Sequence, residues 1–361
     1  KLEQRFSSAQ RPYGPAGALA LRSDDDLGPD SPMEAYEEIR FLGRGVFGEV
    51  ALCRRRSDGL LCAVKRLQVS GDYMHASEPM QEVAVLQKLE HPGVLRYFGS
   101  VEENHCINII TEYADRGDLQ HFLRDRLDSG LAVEAVASMA IFSQLATAVQ
   151  HLHGMKVLHR DLKPSNVLLT SRGLVKLGDF GVAKVLAGTA AYDQMTCVGS
   201  PVYMAPEIVG GQLYGAPCDI WSLGVVLYEL CTLRKPFEGR SLGEMAMRIL
   251  SGEYTPMVAG DAATSSSKNA ALAELVQPLV ARMLVLEARE RADMGEVMRS
   301  GVLSLFASSM HTCRACVAEA VRPASERAAD EEDAAWPDPP PPQPPAHAKE
   351  TKRPERVDVD L

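Results

Sequence analysis

The chain has 361 residues, 46% hydrophobic and 24% charged, enough apolar material for one large two-lobed domain or two ordinary ones. A formal net charge of −10 without a local basic patch argues against nucleic acid as a partner. Eight cysteines scattered through the chain, several in apolar runs, suggest a reducing compartment, and the six apolar residues Ala16 to Leu21 are too few for a leader or a span; the expected location is cytoplasmic, with no membrane span.

Residues 1–35 open the chain, and up to about residue 32 they are rich in Pro, Gly, Ser and Asp without apolar periodicity, the composition of a disordered segment. Position 1 is Lys1, and Met33 stands three residues before the first strand-like run; Met33 is read as the biological start, which amino-terminal mass spectrometry of the native protein tests. From Tyr36 the pattern predicts strands over Tyr36 to Leu42, Glu49 to Arg54 and Leu60 to Val69, the last two separated by the turn Ser57-Asp58-Gly59. A helix is expected around Met80 to Leu89, then strands over Leu95 to Val101 and Cys106 to Glu112. The first three strands read as an antiparallel meander, and the first lobe as five strands plus one helix.

After Asp118 the periodicity turns helical, with Ile141, Leu145, Ala148 and Leu152 on one face. Asp219 to Cys231 is apolar nearly all round, which predicts a buried helix, and its thirteen residues are too few to span a bilayer. The globular pattern ends near Arg299, with one more helical turn allowed beyond it. Residues 301–361 are expected to be a low-complexity, disordered tail: Arg322 to Asp333 is charged and Ala-rich, and Pro339 to Pro342 should be extended polyproline. That tail is read as solvated, the alternative being a ligand for a proline-recognising domain.

Four motifs carry chemistry. Gly43-Arg44-Gly45-Val46-Phe47-Gly48-Glu49-Val50 sets three glycines between two strands, where backbone amides can close over a triphosphate. A dinucleotide fold would continue into a helix after the last glycine, whereas here Val50 opens a strand; a plain glycine-rich hairpin is the alternative. Lys65 lies inside the apolar strand Ala63-Val64-Lys65, costly unless its ammonium has an anionic partner, and Glu82 can supply one. His159-Arg160-Asp161-Leu162-Lys163-Pro164-Ser165-Asn166 puts a base (Asp161), a cation (Lys163) and a metal ligand (Asn166) within six residues. Thirteen residues after Asn166, Asp179-Phe180-Gly181 offers the second metal ligand. His311, Cys313 and Cys316 have metal-like spacing but lack a second pair to complete four ligands, and His151 and His153 are read as packed or solvated.

This ordered set resembles the eukaryotic protein kinase family over Tyr36 to Arg299. Further landmarks follow in order: Ala205-Pro206-Glu207, Asp219-x-Trp221-x-x-Gly224, and Arg291, which in this family pairs with Glu207. The resemblance implies an α+β bilobal kinase fold, with lobes of about residues 36–113 and 114–300. It also implies transfer of the γ-phosphate of ATP, with Mg²⁺ or alternatively Mn²⁺, to serine or threonine of protein substrates. The implied nucleotide site takes in Leu42, Gly43, Arg44, Gly45, Val46, Gly48, Val50, Ala63, Lys65 and Leu168, with adenine meeting the backbone of Glu112 and Ala114 after the gatekeeper Thr111. Lys163 and Ser200 are similar to the serine/threonine type; most relatives carry threonine at Ser200.

Lys176 to Leu186, Leu227 to Leu233 and Ser251 to Tyr254 are similar to NIMA-related kinases, which implies roles in mitosis, centrosomes, basal bodies or cilia and a cytoskeletal, centrosomal or nuclear location. Thr111 departs from that subfamily, where a larger residue is expected. Thr196, three residues before Gly199, is at the position many relatives phosphorylate, through an upstream kinase or by autophosphorylation, with Arg160 and Lys184 as the basic partners. Rival readings are a pseudokinase scaffold, a serine/threonine kinase of another subfamily, and a kinase of small metabolites.

Overall fold

The computed structural model describes residues 33–45, 48–68, 77–185, 201–257, 267–307, 310–323 and 326. The expectations for the segment before Met33, for Val46, for Thr196 and Ser200, and for the Pro-rich run lie outside these residues.

The first lobe is a five-stranded antiparallel sheet with one helix. Strands β1 (Tyr36–Gly45), β2 (Gly48–Arg55) and β3 (Leu61–Gln68) form the expected meander, and helix α1 (Ser77–Leu86) follows. Then come β4 (Tyr97–Glu103) and β5 (Cys106–Glu112). The meander does not continue in chain order: β5 pairs with β3 and β4 takes the edge. Composition explains the choice. Five consecutive buried residues in β5 suit a strand covered on both faces, whereas β4 ends in Glu102 and Glu103, which suit an edge. β4 starts two residues later than expected because Val94 and Leu95 pair instead with Leu177 of the second lobe.

The second lobe begins with α2 (Leu119–Asp128), whose first turn is capped by Asp118 accepting from the His121 N–H at 2.9 Å. Helix α3 (Ala135–Gly154) is its centre: Ile141, Leu145, Ala148 and Leu152 are fully buried. Among the described residues it alone is long and apolar enough to cross a membrane, yet 67% of that window is buried inside the protein, as befits a core helix. Short strands β6 (Val157–Leu158), β7 (Val167–Leu169), β8 (Val175–Leu177) and β9 (Lys184–Val185) make two antiparallel pairs, β6 with β9 and β7 with β8. Then follow α4 (Pro206–Val209), the buried α5 (Pro217–Thr232), α6 (Leu242–Ser251), α7 (Ser267–Met283) and α8 (Met294–Arg299).

Helical structure runs well past the single turn expected beyond Arg299. α9 (Gly301–Ala307) and α10 (Met310–Ala320), with the turn that follows, add Val302, Leu303, Val317 and Val321 to the main core. The disordered tail expected from residue 301 is corrected on this stretch, because Val302, Leu303, Val317 and Val321 are buried against the lobe. The main core is continuous from Leu67 and Val83 in the first lobe to Val321, and a smaller cluster around Cys62, Val64 and Ile110 lies on the sheet.

Candidate active site

Between the lobes lies a cleft of about 770 Å³, lined at one end by Leu42, Val50, Ala63, Thr111 and Leu168 and at the other by Lys65, Asp161, Lys163, Asn166 and Asp179. Gly43, Arg44, Gly48, Glu112 and Ala114 also face it.

The glycine-rich segment forms the β1–β2 hairpin in register Gly43↔Val50, Arg44↔Glu49, Gly45↔Gly48, and Arg44 donates to Glu49. Its glycines answer to different constraints. A Cβ on Gly43 would meet nothing within 4 Å, so its smallness serves the open cleft. A Cβ on Gly48 would fall 2.1 Å from the Arg66 carbonyl oxygen, so packing against β3 requires glycine there.

Lys65 on β3 is shared by two carboxylates. Its Nζ donates to both oxygens of Glu82 on α1 at 2.9 Å and to Oδ1 of Asp179 at 2.8 Å. Burial alone would push the ammonium's pKa down, but the two carboxylates outweigh it and hold Lys65 above the ordinary lysine value. Burial also raises Glu82 against the pull of Lys65. For Asp179, burial works upward, and Lys65 beside it wins, leaving it below the usual carboxylate value.

Asp161, Lys163 and Asn166 meet in the loop after β6. Lys163 Nζ donates to Asp161 Oδ2 at 2.6 Å, and Asn166 Nδ2 donates to the Asp161 carbonyl and Oδ2 at 2.8 and 3.0 Å. Both Asn166 bonds use the amide nitrogen, so its oxygen is the atom that would meet a cation. That oxygen and the Asp179 carboxylate are hard oxygen donors, which fit Mg²⁺ or Mn²⁺.

A protein kinase domain model matches residues 36–303. The chain belongs to the protein kinase family. Among curated relatives it is similar to serine/threonine-protein kinase Nek5 of Homo sapiens, 33% identical over 74% of this chain and 36% of that protein. It is also similar to serine/threonine-protein kinase Nek8 of Danio rerio, 36% identical over 75% of this chain and 37% of that one. With serine/threonine-protein kinase nekl-2 of Caenorhabditis elegans, 31% identity extends over 77% of both chains. The chain spans about a third or less of the length of the first of these relatives it matches, Nek5 and mouse Nek1, at 36% and 18%. The kinase is therefore NIMA-related in sequence, and its family generally uses ATP and Mg²⁺ and acts on protein substrates.

Several features of the kinase's site are invisible to motif reading. Asp219, a landmark on α5, is fully buried and accepts from the consecutive N–H groups of His159 (3.0 Å) and Arg160 (2.9 Å), with His153 Nε2 at 2.8 Å. It thereby holds Arg160 at φ 68°, a left-handed conformation that non-glycine residues adopt only when surroundings enforce it. His153 is thus packed, as expected. Phe180 lies edge-on to His159, ring centroids 5.1 Å apart, and the His159 Nε2 faces the Gly178 carbonyl at 3.0 Å. Arg160, expected as a phosphate partner, donates to Tyr214 Oη at 2.7 Å and to the Val182 carbonyl. The Lys184 backbone lies in β9 opposite Leu158. Its side chain, like those of His311 and Cys313, is outside the described residues.

Proposed function

We propose that the chain is an active serine/threonine protein kinase, transferring the γ-phosphate of Mg-ATP to hydroxyls of protein substrates. The carrying observation is the convergence of Lys65, Glu82, Asp161, Lys163, Asn166 and Asp179 on one cleft. Phosphoryl transfer needs positioning and charge neutralisation more than covalent help from the protein. In this reading the apolar end takes adenine, with its edge against the backbone of Glu112 and Ala114. Lys65, oriented by Glu82, holds the α and β phosphates, and an entering polyphosphate competes with Asp179 for its ammonium. Asn166 and Asp179 would hold the cation, which supplies neutralisation of phosphate charge when bound. Asp161 orients the substrate hydroxyl and accepts its proton, while Lys163 offsets charge on the γ-phosphate.

The scaffold alternative needs the lysine, the base or the metal aspartate to be missing or displaced. Lys65 and Asp179 are instead 2.8 Å apart, and Asp161 lies within 3.0 Å of Asn166. The test is transfer of labelled phosphate to serine, threonine and tyrosine peptides by the native chain, Asp161→Asn and Asp179→Ala. Both variants should lose roughly two or more orders of magnitude. Equal inactivity of all three with Mg-ATP still bound would move the scaffold reading to the front. Regulation by phosphate on Thr196 belongs to the same proposal, supported by the basic Arg160 and Lys184; an unchanged rate in phosphorylated native protein and Thr196→Ala would remove it.

A further inference from the structure

Lys176 is buried, 6% exposed, and the reaction proposed above gives it no part. It sits on β8 opposite Leu168, three residues before Asp179. Its Nζ lies 2.7 Å from Oε1 of Glu112, the last residue of β5. That same oxygen accepts from the Arg96 N–H at 2.7 Å, and the Arg96 carbonyl accepts from the Glu112 N–H at 2.9 Å. One carboxylate therefore joins the end of β5, the start of β4 and, through Lys176, a strand of the second lobe. β8 is fastened to the same stretch by its backbone, Leu95 N–H to the Leu177 carbonyl at 2.9 Å and Leu177 N–H to the Gly93 carbonyl at 2.8 Å.

Lys176 is buried and Glu112 only partly so, with side-chain exposures of 8% and 24%; drawing the lysine charge out of water into such a pair is a costly way to gain stability, since packed apolar residues of similar volume often do as well or better. What this pair does that an apolar one cannot is fix direction, holding the Glu112 side chain and hence the start of the connection between lobes. That connection also lines the cleft, where Glu112 and Ala114 stand. Ordering a backbone before the ligand arrives lowers the entropy lost on binding, and the gain appears as affinity.

We propose that the Lys176–Glu112 pair is a positioning element that holds the inter-lobe connection in the geometry that receives the adenine base. The inference rests on the ATP-binding reading of the cleft. It assigns the pair to nucleotide affinity rather than to the transfer step.

The test uses the full chain and three variants: Lys176→Met, Lys176→Arg, and Lys176→Met combined with Glu112→Gln. The double variant is decisive because it removes both charges together, leaving no buried ion unpaired, and glutamine still offers an oxygen to the Arg96 N–H. Calorimetric Kd for Mg-ADP, melting temperature, and kcat and KM for ATP are measured on each. The double variant should melt near the native protein yet bind Mg-ADP roughly tenfold more weakly, with KM for ATP raised in step and kcat within about threefold. Lys176→Arg should recover most of the affinity. An unmoved Kd in the double variant overturns the proposal, as does a fall in kcat at constant Kd or a lowered melting temperature with affinity intact. Native protein that binds no Mg-ADP overturns the ATP reading as well, so the two failures are distinguishable.

Discussion

Arg291 and Glu207, 84 positions apart, meet as a two-pronged pair: Nη1 to Oε1 at 2.8 Å and Nη2 to Oε2 at 2.9 Å, both side chains buried. The guanidinium also donates to the carbonyls of Pro217, Val285 and Leu286 and lies 5.1 Å from the Trp221 ring. The resemblance expected the pair; the structure adds that every prong of Arg291 is used. Arg291→Ala leaves Glu207 buried without its cation and should cost about 3–5 kcal/mol. Arg291→Lys should recover little, since an ammonium cannot reproduce the fork. Urea unfolding checks both, and a loss under about 1 kcal/mol for Arg291→Ala would show the pair to be dispensable.

What could be read from the sequence was mostly local. The Asp161, Lys163 and Asn166 set spans six residues, so its members must be neighbours in any fold, and the burial of β5, α3 and α5 follows from unbroken apolar runs. The order β3-β5-β4 was not legible, because periodicity says which face of a strand is buried and not which strand lies beside it. Nor was the burial of α10 and the residue after it, where Val317 and Val321 are thinly spaced among Cys, Arg and Glu. Long-range partners such as Asp219 with the Arg160 amide, or Lys176 with Glu112, carry no spacing signal; a lysine within the apolar stretch Leu174 to Leu177 was the only hint of the latter.

The two ends of the glycine-rich hairpin should respond differently to a methyl group. Gly48→Ala drives a Cβ into the Arg66 carbonyl and against Leu67 Cδ2, 3.1 Å away. It should cost about 1–3 kcal/mol of stability. Gly43→Ala meets nothing, so its stability should stay within about 0.5 kcal/mol of native while nucleotide affinity falls. Melting curves paired with Mg-ADP titration separate the two. Equal destabilisation by both substitutions would contradict the packing argument.

A histidine pair gives the kinase a pH-sensitive limb near neutrality. His91 and His151 stack at 4.9 Å, the His91 Nδ1 accepts from the Gly93 N–H at 3.0 Å, and the buried His151 Nε2 has no hydrogen-bond partner among the described residues. Burial first, then His151 and Lys176, push His91 below its ordinary value of 6.5. The unfolded chain therefore takes up the proton at higher pH than the folded one. Stability from a neutral His91 is present above 6.5 and is lost as pH falls from there toward the depressed folded value. His91→Asn keeps an acceptor for Gly93 and removes the titration, so its melting temperature should change less between about pH 7.5 and 5.5. Parallel curves for native and variant would show that His91 does not set this limb.

The last helix should prove part of the folded unit. Gly173, in the β7–β8 turn at φ 70°, is so close to α10 that a Cβ would lie 1.9 Å from the Arg314 carbonyl oxygen. Gln144 of α3 donates to the Gly173 carbonyl at 3.0 Å, so the turn cannot simply swing away. Val317 and Val321 are buried by the same docking, and Arg126 donates to the Ala320 carbonyl. Ending the chain after Ala307 exposes what those valines cover and should cost roughly 3 kcal/mol or more, at about 1.5–3 kcal/mol per buried side chain. Gly173→Ala in the full chain should lose a comparable amount by forcing α10 off. The two changes act on one contact, so they should not add: in the shortened chain Gly173→Ala should cost only the left-handed backbone strain, about 1 kcal/mol. Additive losses across that cycle would mean that Gly173 and α10 contribute independently, and that the close approach of their backbones does not hold the helix in place.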